Sequence, residues 1–261
     1  MTILLSVAVV GAVGLVIGIL LGIAGKIFYV EVDERIAQVR EELPGNNCGG
    51  CGYAGCDALA KAIVEGSAPP DACPAGCGPD NLARIGGIMG IEVEAGEKQV
   101  MFVKCDGRCG VAEEKYNYYG EPDCRQAAVT PGRGPKACPH GCLGFGSCVK
   151  VCDFDAISIV DGVAVIDEKK CVNCGKCMKE CPNGVIERIP YKAVRKVQCN
   201  NKDRGKTVKD VCKSGCLGCG LCAKVCESEA IALVNNLPVI DLSKCTGCGK
   251  CVEKCPVGAI K

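Results

Sequence analysis

The first charge after the start of the chain comes late. Residues 2–25 carry no charged side chain, and Lys26 ends the run. These 24 apolar or small residues would span about 36 Å as a helix, enough to cross a bilayer. The pattern predicts a transmembrane anchor over residues 1–26 and an acidic, helical stalk over 27–44. A cleaved leader would open with basic residues, and none precedes the apolar stretch. Gly14, Gly18 and Gly22 stand four apart, a spacing that lets a second membrane helix approach closely.

Downstream the hydrophobic period changes. Asp57-Ala-Leu-Ala-Lys-Ala-Ile-Val-Glu65 reads as a short amphipathic helix capped near Asp57. Farther on, β-branched runs flank Asp161-Gly162 and again Asn235-Asn236. These dipeptides tolerate positive φ, so each stretch is expected to fold as a β-hairpin. The two stretches belong to a larger repeat. A shift of 74 residues lays Cys142, Cys148 and Cys152 on Cys216, Cys222 and Cys226. The same shift lays Cys171, Cys174, Cys177 and Cys181 on Cys245, Cys248, Cys251 and Cys255. Val103-Lys-Cys105-Asp also echoes Val197-Gln-Cys199-Asn, so the repeat extends ahead of its densest cysteines.

Cysteine now dominates the reading, with 26 among 261 residues. Disulfide-stapled domains are short and do not crowd three thiols into seven residues. Zinc sites usually draw two ligands from each of two knuckles. Here Cys171, Cys174, Cys177, Cys181-Pro and Cys245, Cys248, Cys251, Cys255-Pro both read C-x2-C-x2-C-x3-C-P. That run supplies three thiolates to one [4Fe-4S] cluster and sends the fourth to another. The expected sets are Cys171, Cys174, Cys177 with Cys152; Cys216, Cys219, Cys222 with Cys255; and Cys245, Cys248, Cys251 with Cys226. The fold class is therefore α+β: a transmembrane helix, a small single-cluster module and two tandem bacterial-type two-cluster ferredoxin modules. The single-cluster module is placed at 45–80 and a cysteine-containing connecting region at 81–137. The ferredoxin modules are placed at 138–190 and 212–261, with a basic linker over 191–211. With 4% aromatic residues and no tryptophan, the clusters must serve as much of the core, and the metal-free chain is expected to be largely unfolded.

One site departs from the repeat, because Phe145 stands where Cys219 stands in the second module. The expected substitute is Cys138, giving Cys138, Cys142, Cys148 and Cys181; the alternative is a [3Fe-4S] cluster on the last three alone. Five clusters follow. A sixth is drawn from Cys105, Cys109 and Cys124 with Cys199 or Cys212, the other reading being buried free thiols. The single histidine, His140, lies beside these cysteines but is not read as a ligand.

Cys48-Gly-Gly-Cys51-Gly-Tyr-Ala-Gly-Cys56, with Cys73-Pro returning after the amphipathic helix, supplies three loop thiolates and a fourth. A zinc ribbon is the rival here, although CxxCxxxxC is not a usual zinc spacing. A membrane helix, this module and then ferredoxin modules together resemble the B subunit of the Rnf membrane complex, along essentially the whole chain. The second ferredoxin module and the additional cysteines depart from the simplest members. The resemblance implies an electron-relay subunit of an ion-translocating ferredoxin:NAD+ oxidoreductase, with Cys48, Cys51, Cys56 and Cys73 holding the membrane-proximal cluster. It also implies soluble ferredoxin as donor, and membrane and flavin-bearing subunits as partners. The expected location is the cell's inner or plasma membrane, single-pass, with the cluster domains in the reducing cytoplasm. The alternatives are an anchored iron–sulfur wire serving a hydrogenase or a nitrogenase-feeding system, and a structural zinc protein.

Charge refines the picture only locally. The net charge is +1, yet eight Lys or Arg stand against two Asp between Lys192 and Lys213. This stretch reads either as a solvated linker or as a docking surface for an acidic ferredoxin. Nucleic acid is excluded as a partner, since the chain is neither basic overall nor provided with aromatic platforms. No G-x-G-x-x-G opens a helix after a strand, so NAD+ chemistry is expected on another subunit.

Overall fold

The computed structural model describes residues 2–28, 33–93 and 97–261. Helix α1 (Thr2–Ile27) is followed by α2 (Glu34–Glu42), α3 (Cys56–Val64), α4 (Pro79–Met89) and strand β1 (Gln99–Val103). The first repeat then contributes α5 (Cys124–Ala128), α6 (Ser147–Lys150), β2 (Ile157–Val160), β3 (Val163–Ile166), α7 (Lys176–Glu180) and β4 (Ile186–Pro190). The second contributes α8 (Lys206–Val211), α9 (Leu221–Lys224), β5 (Ile231–Val234), β6 (Leu237–Ile240) and α10 (Lys250–Glu253). The fold is α+β, with three two-stranded antiparallel sheets among the described residues.

From Val10 onward, α1 keeps its large apolar side chains uncovered. Val10, Val13, Leu15, Leu20 and Leu21 are each more than half exposed. Nothing lies within 4 Å of a Cβ built on Gly14, Gly18 or Gly22. The stretch Val10–Ile27 has a mean hydropathy of 2.2. An apolar surface of this extent calls for a lipid or protein partner to remove it from water.

The stalk is not free. Residues 29–32 lie outside the described residues, but α2 lays Val39, fully buried, and Leu43 against α3 and α4. Asp33 caps α2 through the Arg35 amide at 2.9 Å, and Asn81 Nδ2 on α4 donates to Glu42 O at 3.0 Å. The first module is thus a three-helix unit with an apolar core of Val39, Leu59, Ala60, Ile63 and Ile85. It extends through α4, beyond the boundary placed at residue 80.

The hairpins form where the sequence places them. Asp161 and Gly162 take φ of 49° and 73°, and Asn235 and Asn236 take 50° and 63°, as a tight two-residue turn requires. Strands β2 and β3 pair from Ile157 with Ile166 to Val160 with Val163; β5 and β6 pair from Ile231 with Ile240 to Val234 with Leu237. The connecting region and the basic linker are both structural. Strand β1 pairs antiparallel with β4, Gln99 opposite Pro190 and Val103 opposite Ile186. In the second repeat Val197 bridges Ile260, Gln198 N donates to Ala259 O at 2.8 Å and Lys196 exchanges backbone bonds with Lys261. Each half therefore begins with an edge segment that pairs with its own end. Val208 on α8, fully buried, fixes the rest of the supposed linker in place.

Candidate metal centres

The membrane-proximal cysteines gather on the three-helix core. Asn47 Oδ1 accepts from Cys56 N at 2.8 Å, closing the glycine-rich loop onto the first turn of α3. Cys51, Cys56, Cys73 and Cys77 pack on that core, and Cys48 lies beside Cys73. A hydrogen bond from Cys77 holds the Cys73 thiol below the usual thiol range, while Cys77 itself is pushed up by the same contact and by burial. That contact favours the thiolate of Cys73, the form that binds metal.

The repeats wrap their thiols around cavities. Cys152, Cys171, Cys174 and Cys177 line one. Cys216, Cys219, Cys222 and Cys255 line another, and Cys226, Cys245, Cys248 and Cys251 a third. Each of the short helices α6, α7, α9 and α10 starts directly after a glycine in the left-handed region, such as Gly175 at φ 81°. That turn brings the loop cysteines and the first helical cysteine to the same side.

The fourth ring corrects the sequence reading. Cys142, Cys148 and Cys181 line one pocket, and the fourth thiol there is Cys124, not Cys138. Phe145, at the position of the missing cysteine, packs against Tyr118 with ring centroids 5.0 Å apart. Tyr118 and Cys124 belong to a long insertion: Cys138 follows Cys105 by 33 positions, whereas Cys212 follows Cys199 by 13. Asp123 caps α5 by accepting from Arg125 N at 2.8 Å and Gln126 N at 3.0 Å. Ser147 Oγ accepts from Cys124 N at 2.7 Å and donates to Asp123 Oδ2 at 2.9 Å. The inserted helix is thereby fastened to α6 next to Cys148. A cysteine carried by an insertion in the one half that lacks a motif cysteine was the available signal.

Cys138 instead shares a cavity with Cys105, Cys199 and Cys212. Neither Cys109 nor Cys124, both assigned to this group from sequence, lines it. Cys109 is exposed, its N–H donating to Asp161 O at 2.8 Å. His140 lines none of the five cavities; its Nε2 lies 4.0 Å from Asp203.

Electrostatics fits these rings to a group that takes up thiolates. Burial pushes Cys138 and Cys199 up to about 11, and Cys148 and Cys177 up to about 12. Occupation must therefore displace protons and supply positive charge. Backbone N–H groups already point at sulfur: Asn173 at Cys171 (3.5 Å), Ala259 at Cys255 (3.3 Å) and Cys216 at Cys199 (3.2 Å). Such donors stabilise thiolates and tune cluster potential. Four thiols lining one pocket suit an iron–sulfur cubane, with one thiolate for each iron.

Neighbouring rings touch. A Cβ on Gly50 would lie 2.6 Å from Cys174 O, and Asn173 Nδ2 donates to Pro74 O at 2.7 Å. The first module is therefore docked on the Cys171–Cys177 loop. Cys177, Cys142 and Cys148 share one apolar core in the first repeat, and Cys222, Cys226 and Cys251 share one in the second.

Known families and relatives agree with this architecture. Residues 43–75 match the family described as "Putative Fe-S cluster", and residues 164–187 and 238–261 match the "4Fe-4S binding domain". The chain is 47% identical over 259 residues to the B subunit of the Na(+)-translocating ferredoxin:NAD(+) oxidoreductase complex of Acetobacterium woodii, covering 99% of this chain and 77% of that one. It is 42% identical to the B subunit of the ion-translocating oxidoreductase complex of Methanosarcina acetivorans, covering 98% and 97% of the two chains. Against the B subunit of the proton-translocating ferredoxin:NAD(+) oxidoreductase complex of Clostridium ljungdahlii it is 41% identical, covering 100% and 92%. Identity at this level along the full length establishes that the chain belongs to the family of B subunits of the Rnf ion-translocating oxidoreductase complexes.

Proposed function

We propose that this chain is the membrane-anchored electron-relay subunit of an ion-translocating ferredoxin:NAD+ oxidoreductase. It takes electrons from reduced soluble ferredoxin and delivers them to flavin-bearing partner subunits that reduce NAD+. The observation that carries this reading is the row of four-thiol rings leading from the helix-anchored module through both ferredoxin repeats.

Five [4Fe-4S] clusters are assigned to Cys48, Cys51, Cys56 and Cys73; Cys152, Cys171, Cys174 and Cys177; Cys124, Cys142, Cys148 and Cys181; Cys216, Cys219, Cys222 and Cys255; and Cys226, Cys245, Cys248 and Cys251. With Cys124 as fourth ligand, a [3Fe-4S] cluster is no longer required at the Phe145 position. Bound clusters supply reversible one-electron chemistry. The protein's part is to fix the thiols, exclude water and aim N–H donors at sulfur. The span Val10–Ile27 anchors the chain in a single pass, with residues 33–261 on the cytoplasmic side, where the reducing environment favours cluster assembly.

Ferredoxin is assigned to the second repeat. Lys202, Arg204, Lys206 and Lys209 are exposed, and none forms an ion pair among the described residues. The stem of Arg204 passes over Gly218, inside the Cys216–Cys222 loop. A positive surface beside the exposed Cys219 suits an acidic electron donor. The test is anaerobic mixing of the cluster-loaded full chain with reduced ferredoxin. Rapid bleaching of the cluster absorbance supports the assignment; a loaded chain that ferredoxin cannot reduce overturns it.

A further inference from the structure

We infer that Cys105, Cys138, Cys199 and Cys212 hold a sixth iron–sulfur cluster, built on the seam between the two repeats with two thiolates from each. This rests on the reading that the other rings hold clusters.

The four thiols line one cavity, and all are buried, 6–9% exposed. The halves contribute equivalent pairs. Cys138 stands four residues before Cys142, as Cys212 stands before Cys216. Cys105 Sγ accepts from Cys142 N at 3.3 Å, as Cys199 Sγ accepts from Cys216 N at 3.2 Å. Neither repeat alone offers more than two thiols, so the site exists only when both are docked. Docking is specific: Ala112 bridges Cys212, Glu113 N donates to Val211 O at 3.0 Å and Lys213 N to Val111 O at 2.9 Å. Asn200 Nδ2 reaches across to Asn183 O at 3.1 Å.

The surroundings suit an anionic occupant, and a cubane carrying four thiolates is one. Lys136 lines the cavity and is 5% exposed. Its ammonium donates to Gly107 O and Gly162 O, each at 2.8 Å, and has no carboxylate partner among the described residues. A buried ammonium held only by carbonyls is costly unless negative charge lies nearby. Asn201, 2% exposed, directs Nδ2 at Cys138 Sγ at 3.5 Å, and Gly107 N is 3.4 Å from Cys105 Sγ.

The position gives the site its role. Gly141 lines both this cavity and the one ringed by Cys124, Cys142, Cys148 and Cys181. On the other side, Cys199 is bonded to the backbone of Cys216, which opens the next ring. The seam site therefore makes two separate ferredoxin units into one continuous row.

Native mass spectrometry of the anaerobically purified full chain counts the occupants directly. Six four-iron clusters are expected; five clusters with nothing further, or five plus one zinc, overturn the inference while leaving the relay reading intact. A chain carrying no iron–sulfur clusters overturns both. The Cys199→Ser/Cys212→Ser double variant is expected to lose about four irons while retaining the EPR signals of the other clusters, whereas Cys109→Ser loses none. Full iron retention in the double variant would equally overturn the seam site. Should the double variant fold poorly, the count on the unmodified chain still decides.

Discussion

Gly50 sits against Cys174: a Cβ at residue 50 would approach the Cys174 carbonyl oxygen to 2.6 Å and its Cα to 3.1 Å. The contact places the glycine-rich loop of the membrane-proximal module directly on a cluster loop of the first ferredoxin repeat. Both neighbours at this point are backbone, so neither can swing aside.

Gly50→Ala is therefore expected to push the two modules apart at a cost of about 1–3 kcal/mol. Each module keeps its own cysteines, so iron content should stay near that of the unaltered chain. Electron transfer between the membrane-proximal site and the first repeat should slow, as read by freeze-quench EPR after rapid reduction. Unchanged transfer would show that this contact does not lie on the path.

The fastening of Cys124 leads to a second expectation. Ser147 Oγ is the partner of the buried Cys124 N–H, and Asp123 caps the helix that carries this cysteine. Asp123→Ala should destabilise α5 by about 1 kcal/mol through loss of the cap. Ser147→Ala leaves a buried donor unpaired, at about 1–3 kcal/mol. In both variants the ring of Cys124, Cys142, Cys148 and Cys181 should become the most readily oxidised site. A new three-iron EPR signal after brief exposure to air is the expected readout.

Iron removal should divide the molecule. The unit of α2, α3 and α4 has an apolar core of its own, with Val39, Ala60 and Ile85 fully buried and Leu59 and Ile63 at 1%. The cores of the repeats are instead interleaved with cysteines such as Cys142, Cys148, Cys177, Cys216, Cys222 and Cys251, so their Val, Ile and Ala side chains pack against thiols rather than only against one another. Anaerobic chelation is expected to abolish the hairpin signal while much of the helical far-UV signal from residues 2–28 and 33–89 survives. Simultaneous loss of both would mean that the first module also depends on its cluster for folding.

Charge reversal at Lys202, Arg204 and Lys206 to Glu should slow reduction by ferredoxin about tenfold or more at low ionic strength, with the difference shrinking as salt rises. Stopped-flow traces at several salt concentrations check this. A rate indifferent to the reversal would move the docking surface elsewhere.

Much of this architecture was legible in the sequence because cysteine spacing and turn chemistry are local. Asp161-Gly162 and Asn235-Asn236 mark their hairpins, and the repeated C-x2-C-x2-C-x3-C-P runs mark the ferredoxin loops. What spacing could not supply was the long-range pairing of thiols. Cys138-Pro looked like a motif residue, yet two of the three thiols that share its cavity, Cys199 and Cys212, lie on the far side of a seam that only the docked repeats create. Cys124 reaches its ring on an inserted helix held by Ser147, a tertiary hydrogen bond without a sequence signature. The charge run between Lys192 and Lys213 obscured an edge segment whose backbone pairs with residues 259–261.

The central claim, that these rings carry iron–sulfur clusters rather than structural zinc, is tested most directly by elemental analysis. Iron, acid-labile sulfide and zinc should be determined per chain on anaerobically purified full-length protein. About 24 irons with matching sulfide and no stoichiometric zinc are the expected result, at four irons for each of six sites. Stoichiometric zinc in place of iron, or about four irons in total, would contradict the ring assignments and the electron relay built on them.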